Sequence, residues 1–170
     1  LIGGMEITRP SIGDIVAPIS ENGRLDTGKS TIVGKWNLDR CVKNALKRRI
    51  AVTGPLPGTD ATFAGGDAGK FEEQGIKSAN LEAVDWHIPE IPRLSTSGTR
   101  RSLAVPFYDF SVEEAPPAPA DLSVRWEEGP REGDRWHPEG ASLRFRFLLP
   151  PGSYATVMMR EFMRSPLDHY

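Results

Sequence analysis

The chain has 170 residues, of which 38% are apolar and 26% charged, so it is expected to fold as one domain or one and a half. The formal net charge is −2, which excludes attraction of nucleic acid by an overall positive charge of the chain. Any RNA contact must therefore come from local patches of positive charge. The single cysteine excludes an internal disulfide and a cysteine metal cluster, and no apolar run approaches the ~20 residues of a membrane helix. We therefore expect a cytoplasmic protein that has no metal and does not enter the membrane.

The first part of the chain predicts short strands and one amphipathic helix. Residues 13–19, 31–36 and 50–54 are expected to be strands, and Asn37 is expected to cap a helix. The apolar stripe of that helix consists of Leu38, Cys41, Val42, Ala45 and Leu46, and its other face carries Arg40, Lys43, Lys47 and Arg48. This basic face is either a contact for an RNA backbone or an ordinary solvated surface.

Residues 23–30, GRLDTGKS, match the phosphate-loop pattern of nucleotide-hydrolysing enzymes. A phosphate loop requires a helix that begins at the Lys-Ser step, where its amides hold the phosphates. Here Thr31, Ile32 and Val33 follow, and such β-branched residues favour a strand. We therefore interpret the segment as a hairpin turn, and nucleotide binding remains a weaker alternative.

The middle of the chain is rich in glycine and proline and predicts short elements. Helices are expected over residues 69–74 and 81–86, and a strand over residues 101–112. Residues 113–121 are expected to be a proline-rich surface connection. The isolated histidines His87, His137 and His169 have no partners at metal-ligand spacing, so no zinc site is expected.

The C-terminal part predicts strands followed by an amphipathic helix. Residues 122–126 are expected to be a strand and residues 127–140 an exposed loop, while Leu143, Phe145 and Phe147 alternate with arginines as in a half-buried strand. Pro166 is expected to end the last helix. The apolar face of that helix consists of Ala155, Met158, Met159, Phe162 and Met163.

Residues 143–165, LRFRFLLPPGSYATVMMREFMRS, resemble the closing signature of the TruD family of tRNA pseudouridine synthases. The matching positions are Leu149, Pro150, Gly152, Ser153, Tyr154, Ala155, Thr156, Arg160 and Glu161. SGTRRSLAVPF at residues 97–107 and GPLPGTDATFAGGDAGKFEE at residues 54–73 are similar to further family segments, in the same order. IGDIV near the start and Asn37 sit where archaeal-type members have comparable residues.

The resemblance implies an α+β fold in which a mixed sheet packs with helices. Residues 1–120 would be most of the inserted α/β domain of the family, and residues 121–170 the last strands and helix of the catalytic domain. The family isomerises a uridine of tRNA, typically uridine 13, to pseudouridine without metal or organic cofactor. Its nucleophilic aspartate has no matching context here, and the chain opens on Leu1, so we expect a C-terminal fragment that lacks the catalytic aspartate and needs the missing N-terminal half.

The resemblance also implies which residues contact tRNA. Tyr154 would hold a flipped uracil or else pack beneath the helix, and Ser153 would contact RNA or cap the helix. Because adjacent residues of a strand face opposite sides, one of Arg100 and Arg101 is expected to pair with phosphate and the other to brace a carboxylate inside the domain. Arg160 would join an ion-pair network or the RNA surface. The rival hypothesis is a non-catalytic RNA-binding module.

Overall fold

The computed structural model describes residues 7–115 and 142–163, and the chain divides into two compact units, residues 1–105 and 106–170. The elements in chain order are β1 (Ile15–Pro18), β2 (Thr31–Ile32), α1 (Leu38–Leu46), β3 (Ile50–Leu56), α2 (Gly66–Ser78), β4 (Thr99–Ser102), β5 (Tyr108–Ala115), β6 (Ser142–Leu148) and α3 (Ala155–Met163), with 3₁₀ helices at Thr27–Lys29 and Pro92–Leu94. The α+β fold class is confirmed. Every strand pair among these elements is antiparallel.

The first unit is built on a four-stranded sheet in the order β2-β1-β3-β4. The central cluster of its core is small and contains Val16, Val33, Cys41 and Val52, with Leu38 and Ile50 packed against it. Burial raises the pKa of the Cys41 thiol above its ordinary value, so this side chain remains protonated and packs as a small apolar group. Leu46, at the last turn of α1, is 81% exposed, so the predicted apolar stripe enters the core only near its beginning.

The segment that matches a phosphate loop lies in the connection between β1 and β2. These strands pair antiparallel, with Ile15 opposite Ile32, and the connection contains the 3₁₀ helix at Thr27–Lys29. The ammonium of Lys29 lies 3.0 Å from the carboxylate of Asp26, and strand β2 follows immediately after Ser30. The hairpin interpretation is confirmed. The helix that a phosphate loop requires at the Lys-Ser step is absent here, because α1 starts only at Leu38.

Two predictions in the middle of the chain were wrong in detail. The expected helix over residues 81–86 does not form. The segment contains a turn in which the Val84 N–H donates to the Leu81 carbonyl at 3.4 Å, followed by a second turn in which the Asp85 carboxylate accepts the His87 N–H at 2.9 Å. The expected strand over residues 101–112 is split into β4 and β5, with Pro106, which lacks an N–H donor, in the break. The other middle helix does form and is longer than expected.

The second unit contains a two-stranded sheet, β5 and β6, and helix α3. The predicted last strand and last helix are both confirmed as β6 and α3. The rings of Phe110 and Phe162 are stacked with centroids 5.3 Å apart, and Phe145 lies 5.4 Å from Phe162. These ring contacts connect the sheet to the helix.

The unit boundary falls before β5, earlier in the chain than the sequence-based division at residue 120. The reason is that β5 pairs along its length with β6 and so belongs with the C-terminal part. Assignment of the two units to the inserted and catalytic domains stays a prediction. Four further expectations lie outside the described residues. They are the strand at residues 122–126, the loop at 127–140, most of the proline-rich connection and the end of the last helix at Pro166.

Among the helices that are described, none has the length and apolar character needed to cross a membrane.

Asn37 connects helix α1 to the strand that precedes it. Its side chain is buried, and its Oδ1 accepts the Gly34 N–H at 2.8 Å while its Nδ2 donates to the Ile32 carbonyl at 3.1 Å. The predicted cap position is correct, but the side chain bonds backward to residues 32–34 rather than to the first turn of the helix. Asn37 therefore fixes the approach of the chain to α1.

We predict that Asn37→Ala lowers the free energy of unfolding by about 1–3 kcal/mol, because it leaves a backbone N–H and a backbone carbonyl without their partner. Asn37→Asp keeps the acceptor for Gly34 but places a second carboxylate oxygen against the Ile32 carbonyl at a buried position, so in urea unfolding it should be at least as destabilising as Asn37→Ala. Equal stability of Asn37→Ala and the unsubstituted chain would contradict this role.

Candidate functional site

Arg100 and Arg101 are adjacent in β4 and face opposite sides of the sheet, as the alternation of a strand requires. Arg100 is 6% exposed, whereas Arg101 is exposed. In the register of the sheet Arg100 lies opposite Pro55 and Arg101 opposite Gly54. The two arginines thus have different environments, as the sequence predicted, and the structure identifies which one is internal.

The guanidinium of Arg100 is engaged on all of its nitrogen atoms. Nε donates to the Thr53 hydroxyl at 2.8 Å, and Nη2 donates to the Thr53 carbonyl at 2.6 Å and to Glu72 Oε1 at 2.5 Å. Nη1 donates to the Thr62 carbonyl at 2.5 Å and lies 3.3 Å from Glu72 Oε2. Arg100 therefore takes the bracing role, joining β3, α2 and the loop between them. Direct contact with RNA, expected for Arg100 as one possibility, does not fit a side chain that is buried and bonded in this way.

Glu72, on α2, completes this cluster and was not singled out by the sequence. Its carboxylate is nearly buried, and Oε2 also accepts the Ala64 N–H at 2.7 Å. A carboxylate and a guanidinium buried together compensate each other only when their remaining donors and acceptors are bonded, and here they are. The only sequence signal for Glu72 is its place in the glycine-rich stretch that resembles the family.

The loop over residues 57–65 is held at both of its ends as well as by Arg100. The Thr59 and Asp60 N–H groups donate at 2.9 Å to the carbonyls of Thr96 and Ser97, and the Gly65 N–H donates at 2.8 Å to the Gly13 carbonyl. Gly58 lies directly against the backbone of Gly98, with no space for a Cβ atom. The glycine-rich stretch is therefore a fixed loop rather than an open linker.

Asp14 is a buried carboxylate near the same cluster. Burial raises its pKa above the ordinary value, and the charge of Glu72 acts in the same direction. The Ser11 N–H, which donates to Asp14 at 2.7 Å, and the charge of Arg100 oppose this rise. Asp14 belongs to the IGDIV segment that resembles the family, but its burial was not predicted.

The corner between β6 and α3 holds the remaining predicted residues. The Ser153 N–H donates to the Pro150 carbonyl at 3.2 Å, and Gly152 has a φ of +85°, a conformation that favours glycine. Tyr154 precedes the helix, its carbonyl accepts the Met158 N–H at 3.4 Å, and the residue is 56% exposed. Arg160 lies in the last turn of α3 and is half-buried.

The predicted site residues thus fall in both units. Arg100 and Arg101 belong to the first, and Ser153, Tyr154 and Arg160 belong to the second. The turn-to-helix corner forms as the sequence predicted, whereas the RNA contacts of its side chains stay predictions. Within residues 7–115 and 142–163, no group of three or more histidine, cysteine, aspartate or glutamate side chains is placed to hold a metal ion.

Comparison with known proteins finds one family across nearly the whole chain. A family model described as tRNA pseudouridine synthase D (TruD) matches residues 1–162. The chain is 28% identical over 161 residues to a "probable tRNA pseudouridine synthase D" of Methanosarcina acetivorans, covering 95% of this chain and 32% of that protein. A relative of the same name from Thermococcus sibiricus is 29% identical over 167 residues, covering 98% of this chain and 33% of that protein.

A solved structure gives the same result for the fold. A crystal structure from Methanosarcina mazei, described as tRNA pseudouridine synthase D (TruD), superposes with a TM-score of 0.68 at 26% identity. It covers 99% of this chain and 35% of the other. The chain therefore spans about a third of the length of the relatives it matches.

We predict that Arg100→Ala lowers the free energy of unfolding by about 3–5 kcal/mol, because it leaves Glu72 as a buried charge without its partner. The matched variant Arg101→Ala removes an exposed side chain, whose contacts contribute at most about 1 kcal/mol, so it should lower stability much less than Arg100→Ala. Urea unfolding measures both, and similar losses for the two variants would contradict the division of roles.

Asp14 should make stability depend on pH in a defined direction. Because its native pKa is raised, the folded chain binds this proton more tightly than the unfolded chain, so Asp14 favours folding increasingly as the pH falls toward its ordinary pKa of 3.8. The advantage of Asp14→Asn over the unsubstituted chain should therefore be larger at neutral pH than near pH 4. Asp39→Asn, at an exposed position, is the control, and an equal pH dependence in both variants would be the contrary result.

Proposed function

Because the chain belongs to the TruD family of tRNA pseudouridine synthases, we propose that it is part of an enzyme that isomerises a uridine in tRNA to pseudouridine. The single observation that carries the proposal is the family match over residues 1–162, which includes the corner from Leu149 to Thr156. The enzyme would be an isomerase that uses no cofactor. Its nucleophilic aspartate would be contributed by a part of the enzyme outside this chain.

In this proposal the β6–α3 corner contributes to the uridine pocket. An unstacked uracil needs an aromatic or apolar surface to replace its lost stacking, and the exposed ring of Tyr154 can supply it. Ser153, one residue earlier, would contact the nucleotide through its hydroxyl. Arg160 of the same unit would join the RNA surface or the ion pairs that support it.

Arg101 is the proposed phosphate ligand of the first unit. Its side chain faces away from the cluster that holds Arg100, and β4 is anchored by that cluster. A guanidinium on an anchored strand can meet a phosphate with little loss of backbone freedom. Arg100 would then act as a positioning residue, because it holds the strand that carries Arg101.

The exposed apolar surface of the second unit supports the proposal that this chain needs the rest of the enzyme to cover it. Among the side chains described in that unit none is buried, although many are large and apolar. Besides Tyr154, the exposed ones are Phe107, Tyr108, Phe110, Val112, Leu143, Leu148, Val157, Phe162 and Met163. An apolar surface of this kind is normally covered by a partner. We propose that the remainder of the catalytic domain covers it, since the relatives are about three times as long as this chain.

The test is a chimera in which this chain replaces the matching third of the M. mazei protein. We predict that the chimera forms pseudouridine on unmodified tRNA and that the 170-residue chain alone does not, as measured by mass spectrometry of the RNA. Tyr154→Ala in the chimera should lower kcat/KM by about tenfold, since stacking on one base contributes about 1–3 kcal/mol. Tyr154→Phe keeps the ring and should retain most of the activity.

Three outcomes would count against the proposal. Pseudouridine formed by the chain alone would show that the nucleophile is present in it. A chimera that folds and binds tRNA but forms no pseudouridine would favour the non-catalytic RNA-binding module. Equal activities for Tyr154→Ala and Tyr154→Phe would remove the aromatic ring from the uridine pocket.

A further inference from the structure

Helix α1 and its flanks form a segment with a large excess of positive charge. Residues 35–49 contain six cationic side chains, namely Lys35, Arg40, Lys43, Lys47, Arg48 and Arg49, and one acidic residue, Asp39. Six positive charges less one negative charge leave a local charge of +5, whereas the whole chain carries −2. All six cationic side chains are exposed. This segment is thus a local basic patch on a chain without global positive charge.

One face of the patch combines cations with an aromatic ring. Arg40, Lys43 and Lys47 share a face at the helical spacing of i, i+3 and i+7, and the Arg40 guanidinium lies over the Trp36 ring at 5.9 Å from its centroid. We call Trp36, Arg40, Lys43 and Lys47 the α1 stripe. Cys41 is the side chain that α1 buries in the core, so the stripe lies on the solvent side of the helix.

Trp36 is both exposed and held in place. It is 76% exposed, which is unusual for so large an apolar ring. Its ring lies against Gly34, where an added Cβ would be only 2.7 Å from the indole Nε1. The next residue, Asn37, anchors the backbone through its bonds to residues 32–34. The protein therefore presents an aromatic ring to solvent on a rigid support.

We propose that the α1 stripe is an RNA-binding surface, on which Arg40, Lys43 and Lys47 contact backbone phosphates and Trp36 stacks on an unpaired base. Single-stranded RNA is bound by this combination of cations along the backbone and an aromatic platform for bases. From Arg40 to Lys47 the helix rises about 10 Å, enough to follow a short run of phosphates. The proposal rests on the proposed function only in identifying the RNA as tRNA.

Two other polyanions fit the stripe less well. An anionic membrane is bound by helices whose apolar face enters the lipid, but here the apolar residues of α1 are buried or half-buried except for Leu46 at its end. An acidic peptide supplies charge for the three cations but no flat base to cover Trp36. RNA supplies both groups, and it is the partner that the observations favour.

The test is binding of the 170-residue chain to unmodified tRNA and to a single-stranded oligouridine, measured by fluorescence anisotropy over a series of salt concentrations. Lys43→Gln with Lys47→Gln should weaken binding about tenfold and reduce the slope of log K against log salt by about 1.4, since each phosphate contact contributes about 0.7 on a single strand. The matched control, Lys70→Gln with Lys77→Gln, removes two exposed lysines of α2 and should leave both quantities unchanged.

The ring is tested separately. Trp36→Ala should weaken oligouridine binding by about fivefold or more with the salt slope unchanged, because stacking does not release counterions. Trp36→Phe keeps a stacking surface and should recover most of the affinity. Losing no affinity in Trp36→Ala would overturn the stacking part of the proposal.

The remaining outcomes separate this inference from the proposed function. If the α1 and α2 lysine pairs weaken RNA binding equally, the α1 stripe is not the RNA-binding site. If polyglutamate or phosphatidylserine vesicles bind the α1 stripe as tightly as RNA does, the proposal that its partner is RNA is overturned. If the chimera makes no pseudouridine but RNA binding still depends on the α1 stripe, the proposed function fails and the inference stands. If the chimera is active and the α1 variants bind RNA normally, the inference fails and the proposed function stands.

Discussion

The first unit depends on a guanidinium–carboxylate pair that is closed to solvent. Arg100 brings β3, α2 and the intervening loop to one point, and Glu72 receives both the arginine and the backbone of that loop. Replacing a buried ion pair of this kind by apolar side chains is often neutral for stability, so its importance lies in geometry. Apolar packing is not directional, whereas the bonds of Arg100 to Thr53, Thr62 and Glu72 require defined positions of β3, the loop and α2.

This constraint connects the fold to the proposed RNA contacts. Arg101 is adjacent to Arg100 on the same strand, so the bonds that hold one guanidinium inside determine where the other emerges. The α1 stripe is positioned in a similar way, because the buried side chain of Asn37 fixes the backbone beside Trp36. In both places an internal polar side chain with satisfied hydrogen bonds carries an exposed cationic or aromatic neighbour.

The sequence predicted those elements whose side chains repeat with a clear period. The alternation of Phe145 and Phe147 with arginines and the apolar face of α3 correspond to real elements, and β-branched Thr31 and Ile32 correctly indicated a strand in place of a helix. The expected helix at residues 81–86 is replaced by two short turns, one closed by Val84 and Leu81 and one by the Asp85 carboxylate, which periodicity does not detect.

The buried cluster could not be predicted for a different reason. Glu72 and Arg100 are separated by 28 positions, and neither residue type by itself indicates burial. Alternation along β4 predicted that one of two arginines faces inward, but only the pairing with β3 determines which. The corner at Tyr154 was predictable because its turn residues and its helix are neighbours in the sequence. What the Tyr154 ring contacts depends on residues distant in the sequence, so the sequence alone does not predict it.

The contact between Gly58 and Gly98 has a consequence for how the first unit moves. The two backbones are in direct contact, and the neighbouring amides at Thr59 and Asp60 donate to carbonyls of the same opposing segment. The glycine-rich loop and the entry to β4 must therefore open together, as one cooperative unit of amide exchange. A fluctuation that opens the loop also displaces the start of β4. A substitution that changes the mobility of the loop should therefore also change the mobility of Arg101 on that strand.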